Sequence, residues 1–221
     1  MSDPRYHIVG DTGLMLRFGD DIDPITHGQV LAMDRAISAS KIKGLRETIP
    51  SYAALQIIFD PLITDHDELT AALKALSMDH TDRQTKKTWD VPVCYDPEVA
   101  PDLSEVAKLT GLSVEAVINA HLSGDYKTYM YGFAPGYAYM AGVPETLQIP
   151  RKTAPVRDVP AGSVIIAGPQ CLVTTVKMPT GWWRIGHTDF QMLRATEDNP
   201  FPINVGDHLR FKRVSLDEVK R

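Results

Sequence analysis

Pro160-Ala161-Gly162-Ser163-Val164-Ile165-Ile166-Ala167-Gly168-Pro169-Gln170-Cys171-Leu172-Val173-Thr174-Thr175-Val176 sets the fold class of the second half of this chain. Pro160-Ala161-Gly162 is turn chemistry, and it leads into an apolar, β-branched run over residues 163–167. Gly168-Pro169 then separates that run from a second one over 172–176. Further strand-like runs lie at 127–131, 182–185, 190–193 and 209–214, separated from one another by Gly and Pro. Several short strands at such spacing indicate a sandwich or barrel. Residues 88–95 open this half as a strand, and Pro92 predicts an edge position because its nitrogen cannot donate to a ladder. Two short helices follow at 102–110 and 113–122, stopped by Gly111 and Gly124. A last helical stretch is expected at 216–219.

The first half reads differently. Strands at 6–9 and 14–18 flank the turn Gly10-Asp11-Thr12-Gly13. Asp23-Pro24 is a helix start, with an acceptor at the N-cap and a ring already set to helical φ. This helix is expected over 24–40, with Ile25, Val30, Met33 and Ile37 facing inward. Strands at 45–49 and 54–59 follow, the second almost wholly apolar and therefore expected to be buried. A second helix starts near Asp65, where Glu68 completes a capping-box pattern and Leu69, Leu73 and Leu76 form the apolar stripe. This order predicts an α+β N-terminal domain over residues 1–85. The polar stretch 78–88 is the expected linker, and the mainly-β part occupies 86–221.

Composition narrows the function. The 221 residues are 43% hydrophobic and 23% charged, which is ordinary for a globular protein. A net charge of −5 argues against general nucleic-acid binding, which needs clustered cations. No apolar run approaches the roughly 20 residues of a membrane span. The polar start lacks the plan of a signal peptide, and Cys94 and Cys171 are read as reduced thiols, so a cytoplasmic location is expected. There is no Gly-Lys dipeptide for a phosphate loop, no H-E-x-x-H and no G-x-S-x-G. The seven histidines are scattered, so no metal site is expected. Ser163 is read as a turn residue and Cys171 as core.

Residues 129–142, Tyr129-Met130-Tyr131-Gly132-Phe133-Ala134-Pro135-Gly136-Tyr137-Ala138-Tyr139-Met140-Ala141-Gly142, combine aromatics with glycines and a proline. Such a loop is stiff, exposes backbone and supplies apolar walls, as a small-molecule pocket requires. A barrel corner would show the same residues. Pro150-Arg151 and Pro155-Val156-Arg157 add proline-fixed guanidinium groups suited to an anion. His121, at the end of a predicted helix, is either a proton donor and acceptor or a cation on the helix dipole. In Gly181-Trp182-Trp183-Arg184-Ile185-Gly186-His187-Thr188, one indole belongs to the core. The other, with Arg184 and His187, is expected to line the same cavity as the arginines.

Three of these stretches carry a resemblance. Residues 132–142 resemble the GF-x-PGF-x-YL-x-G signature of the allophanate hydrolase subunit 1 family. Residues 150–164 are similar to its PR…PR-x-VPAGSV segment, and 181–188 to its GGW-x-x-IG-x-T. Tyr137, Met140 and Thr180 depart from the usual Phe, Leu and Gly, and the residues after Gln170 lack the usual Thr-Gly-x-Tyr-Pro. That family includes the B subunit of ATP-dependent 5-oxoprolinase, KipI-type histidine kinase inhibitors and half of the carboxyltransferase domain of urea carboxylase. The resemblance implies an α+β N-terminal domain followed by a mainly-β cyclophilin-like barrel. It implies an amide or lactam hydrolase complex with a subunit 2 partner and a third lactam-hydrolase-type subunit; the alternatives are a KipI-like histidine kinase inhibitor and the carboxyltransferase half-domain of a biotin-dependent urea carboxylase. No cofactor is evident in the chain itself; ATP would be used by the complex, and biotin only in the carboxyltransferase alternative. Carried onto this sequence, the catalytic candidates are His121, Arg151 and Arg157. The substrate-binding candidates are Gly132, Phe133, Pro135, Gly136, Tyr137, Tyr139, Trp182 and His187.

Overall fold

A computed structural model describes residues 4–77 and 86–219, and the chain divides into two compact units, 1–85 and 86–221. Most of the expected linker, residues 78–85, lies outside the described residues.

In the first unit β1 (Arg5–Val9), β2 (Gly13–Arg17), β3 (Leu45–Pro50) and β4 (Ala54–Phe59) form a sheet in the order β1-β2-β4-β3. Helices α1 (Pro24–Ala39) and α2 (His66–Lys74) supply the rest of its core. Asp23 caps α1 by accepting from the Thr26 N–H at 2.7 Å, and Asp65 caps α2 by accepting from the Asp67 and Glu68 N–H groups. The Glu68 side chain does not return to the cap; it accepts from Thr64 Oγ1 at 3.3 Å. Val30, Met33 and Ile37 are buried as expected, but Ile25 is 75% exposed. Ile25 falls off the stripe made by His27, Val30 and Ile37, and His27 takes the inward position in the first turn. Strand β4 is buried on one face only. Leu55, Ile57 and Phe59 point into the core while Gln56 and Ile58 remain half-exposed.

The second unit is mainly β. Seven strands pair in the order β12 (Trp183–His187), β9 (Ser163–Ala167), β10 (Gln170–Val173), β7 (Ala138–Ala141), β6 (Tyr126–Tyr131), β13 (His208–Arg213) and β5 (Thr88–Val93). The last pair, β13 and β5, is parallel. Cys94 follows β5 directly and pairs with His187 across the gap, with N–H to O distances of 2.8 and 2.9 Å. The sheet is therefore barrel-like and nearly closed. Helices α3 (Leu103–Thr110) and α4 (Val114–Leu122) pack on the same interior cluster. Gly111 ends α3 at φ 70, and the Ser113 hydroxyl caps α4.

Alternation along the strands sorts two apolar layers. Val164, Ile166, Cys171, Val173, Ala138 and Met140 point into the barrel. Ile165, Ala167, Leu172 and Tyr139 point outward into a second cluster with Tyr137 and Trp182. A two-stranded ribbon of β8 (Val156–Val159) and β11 (Met178–Thr180) lies beside that outer layer, since Met178 packs on it. Residues 190–193, expected as a strand, are irregular, and 216–219 form a turn rather than a helix. Strands β7, β8 and β11 have no counterpart among the expected strands.

Gly142 shows how tightly the open end of the β6–β7 hairpin is built, opposite the aromatic loop. It sits at φ +123, and an added Cβ would lie 1.9 Å from the Asp125 carbonyl oxygen. Gly168, at φ +53, has nothing within 4 Å of an added Cβ. Denaturant titration should therefore show Gly142→Ala costing more than about 3 kcal/mol, and Gly168→Ala only about 1 kcal/mol.

Candidate functional site

The aromatic loop leaves β6 at Tyr131 and returns at β7. Its turn is held by Ala134 N–H to Gly132 O at 2.8 Å and Tyr137 N–H to Ala134 O at 3.1 Å. Gly136, at φ +72, lets the turn press against its neighbours; a Cβ there would lie 2.7 Å from Leu193 Cβ. Thr175 Oγ1 donates to Pro135 O at 2.7 Å and fixes the same corner. Phe133 takes φ 68, a left-handed conformation costly for a bulky residue, and leaves its ring 76% exposed.

From Phe133 the rings form a continuous row. Centroid separations are 5.5 Å from Phe133 to Tyr137, 5.9 Å from Tyr137 to Tyr139, and 6.1 Å from Tyr139 to Trp182. The Arg151 guanidinium ends the row, 5.4 Å above the Trp182 ring. Burial raises the Tyr139 hydroxyl pKa, and the Arg151 charge opposes that shift. Burial pushes Tyr137 up to about 12, and its hydroxyl donates to Met178 Sδ at 2.9 Å. The expected residues Gly132, Phe133, Pro135, Gly136, Tyr137, Tyr139, Trp182 and Arg151 are thus brought together. Arg157 sits exposed on β8, within the ribbon whose β11 strand supplies Met178. It has no hydrogen bond or ion pair among the described residues.

The position of Arg151 depends on Asp102, which the sequence marks only as a helix start. Asp102 makes no side-chain cap on α3. Its Oδ2 instead accepts from Lys152 Nζ at 2.6 Å and from the Arg184 N–H at 2.7 Å. Both side chains of this ion pair are largely buried. Lys152 also donates its N–H to Gly181 O at 2.7 Å and lies 5.1 Å over the Trp183 ring. Trp183 Nε1 in turn donates to Pro150 O at 2.7 Å. Arg151 is therefore presented from a segment tied down on both sides. It borders a cleft of about 530 Å³ with Lys152, Trp183 and Leu109. Fifty residues separate Asp102 from Lys152, and no local pattern announces the pair.

The other two expected residues lie elsewhere. His187 borders a different cleft, of about 400 Å³, with Gly162, Thr175, Thr188 and Met192. Trp183 and His187 stand four residues apart on β12, roughly 13 Å along an extended strand. A small amide is too short to touch both, so the single cavity expected for Arg151 and His187 is corrected to two clefts. His121 reaches neither. It is fully buried, stacked on Phe211 at 4.7 Å, with Nδ1 2.7 Å from the Tyr95 hydroxyl and Nε2 3.8 Å from Cys171 Sγ. Burial lowers its pKa to about 3, so the helix-dipole cation is excluded at neutral pH. Cys94 and Cys171 are both free and buried, and burial raises both thiol pKa values. Ser163 Oγ donates to the Pro160 carbonyl at 2.8 Å, as a turn residue does. Among the described residues no group of three or more His, Cys, Asp or Glu is arranged to hold a metal ion. No described helix is long and apolar enough to cross a membrane.

The loop, the arginine segment and the β12 strand all fall within the stretch matched by a known family model. Residues 4–203 match the model described as carboxyltransferase domain, subdomain C and D. The chain belongs to this family. Among curated members it is 35% identical to the 5-oxoprolinase B subunit of Bacillus subtilis, over 96% of this chain and 94% of the relative. It is 29% identical to the 5-oxoprolinase B subunit of Escherichia coli O157:H7, over 96% of each. Among solved structures, TTHA0988 superposes with a TM-score of 0.82 at 32% identity; the match covers 93% of this chain but 40% of that one. PH0987 from Pyrococcus horikoshii is 34% identical, with a TM-score of 0.58 over its whole length. The Kluyveromyces lactis urea carboxylase, at 15% identity and a TM-score of 0.80, shares the fold, and the match covers 22% of it.

Removing the Asp102 carboxylate (Asp102→Ala) should cost about 3 kcal/mol in denaturant titration, because Lys152 is left as a buried unpaired charge. A histidine whose pKa is lowered on folding takes up its proton more readily in the unfolded chain. His121 should therefore remove about 1.4 kcal/mol of stability per pH unit as pH falls from 6.5 toward 3. His187 is lowered too and adds in the same sense, so the difference in slope between wild type and His121→Phe isolates the buried ring.

Proposed function

We propose that this protein is the B-type subunit of a 5-oxoprolinase complex, which opens a small lactam by hydrolysing its C–N bond with ATP. The reading rests on one observation: the Phe133–Tyr137–Tyr139–Trp182 row ending in Arg151, in a chain that matches relatives named as 5-oxoprolinase B subunits along nearly its whole length. A guanidinium held over an indole, with its segment anchored through Lys152 and Asp102, is a preorganised partner for negative charge. Such a group stabilises charge developing on an amide oxygen or on a phosphorylated intermediate. Arg157, exposed on β8 and free of ion pairs among the described residues, is the second candidate cation.

The exposed, strained Phe133 ring is a surface for a subunit 2 partner, which would roof the site. ATP would be held by another subunit, since the sequence contains no phosphate loop. In this reading residues 1–85 are a separate α+β domain, 86–221 a cyclophilin-like barrel, and the complex is cytoplasmic. The match to a carboxyltransferase family model favours one second reading, carboxyl transfer from a biotinylated carrier to an amide.

The test is reconstitution with a subunit 2 protein and a lactam-hydrolase-type subunit from the same organism, measuring 5-oxoproline opening coupled to ATP hydrolysis. Arg151→Ala should lower the rate about 100-fold, with Arg157→Ala also impaired. Unchanged rates in both variants would remove the site. Turnover that needs a biotinylated carrier domain would select the carboxyltransferase reading.

A further inference from the structure

The cleft beside His187 takes no part in the anion face, and its chemistry differs. On its floor the Gly162 backbone lies against the imidazole; a Cβ on Gly162 would sit 2.7 Å from His187 Cε1. Nδ1 of His187 is buried and has no hydrogen-bond partner among the described residues. Nε2 has no partner among them either, and it is the nitrogen left to face the cleft. Thr188 is 1% exposed and borders the same space. Its Oγ1 accepts from the Phe190 N–H at 3.0 Å, so its own hydrogen is given to no described residue.

A β-bulge explains why the ring points there. Arg184 is paired with Ile165 and His187 with Ser163, and the register slips one residue between Arg184 and Gly186. The slip leaves Arg184 and His187 on one face of the sheet, the outer one that carries Ile165. Ile185 turns into the barrel. Burial and the neighbouring Arg184 charge lower the His187 pKa against the opposing pull of the Asp189 carboxylate, and with the net shift downward the neutral imidazole predominates at pH 7. Of the charged groups on the cleft wall, Arg194 is paired with Glu197 at 3.4 Å. Asp189 has no ion pair among the described residues. A carboxylate has no hydrogen to give to a ring nitrogen that accepts, whereas a neutral group that both gives and accepts a hydrogen bond matches the imidazole and the Thr188 hydroxyl together.

We infer that the His187 cleft is a binding site for a small neutral amide, whose N–H is accepted by His187 Nε2 and whose carbonyl oxygen is met by the Thr188 hydroxyl. The site is separate from the Arg151 face. The aromatic loop reaches it from behind, because Gly136 packs on Leu193 and Thr175, both of which border the cleft. The choice of a lactam as probe rests on the function proposed above; the cleft and its polarity do not.

The experiment uses the full chain labelled with 13C and 15N at histidine, with the His187 ring signals identified by their absence in His187→Gln. Titration with 2-pyrrolidinone, a lactam without a carboxylate, should move those signals saturably. 1-Methyl-2-pyrrolidinone has the same ring but no N–H and should bind about 10-fold more weakly, the loss of one hydrogen bond. Propionate should leave the His187 signals in place. Thr188→Val should weaken 2-pyrrolidinone binding while the ring signals remain those of a folded protein. Unmoved signals with 2-pyrrolidinone, or an equal response to its N-methyl analogue, would overturn the assignment. Should that happen while the reconstituted complex still opens 5-oxoproline through Arg151, the cleft falls and the proposed function stands. Lactam binding without reconstituted turnover gives the reverse.

Discussion

Two backbone hydrogen bonds between Cys94 and His187 hold the second unit in its shape. Without them β5 and β12 are the two free edges of a seven-stranded sheet. With them the ladder runs almost full circle, and the interior can be filled by Val91, Val93, Ile166, Val173, Tyr126 and the helices α3 and α4. An unpaired edge would also leave buried N–H and C=O groups without partners, a cost comparable to the bonds themselves. His121 belongs to this interior. Its imidazole is tolerated because Tyr95 bonds one nitrogen and the rest of the ring is packed against Phe211 and Tyr126.

Closing the barrel fixes β12, and β12 organises the surface. At one end, Trp182 and Trp183 receive Arg151 and Lys152, and Asp102 ties that segment to α3 and to the Arg184 backbone. At the other end, His187 and Thr188 border the second cleft. One bulge between the ends decides which side chains face outward. The two ends thereby differ: a guanidinium and aromatic rings at one, an imidazole and a threonine hydroxyl at the other.

Much of this is legible in the sequence where local physics acts alone. Asp23-Pro24, Asp65, Ser113 and Gly111 start or stop helices as their side chains and φ preferences require. Strand β9 is found where its apolar run lies. Strand β7 is hidden because Ala138, Tyr139, Met140 and Ala141 are apolar on both faces, the outer one being covered by the aromatic layer. Residues 190–193 mislead in the opposite sense: their apolar content lines a cleft rather than a ladder. The row from Phe133 to Trp182 can be anticipated as an aromatic loop near Arg151. The Asp102–Lys152 pair and the separation of His187 from Arg151 arise from long-range packing that no local pattern encodes.

Native-state hydrogen exchange at the amides of Cys94 and His187 addresses the closure directly. The account predicts that both exchange only through global unfolding, with the protection of Ile165 and Leu172 in the middle of the sheet. Exchange of these two amides at the rate of the exposed loop residues 195–199 would mean that the sheet is open, and the arrangement of both surface sites would lose its foundation.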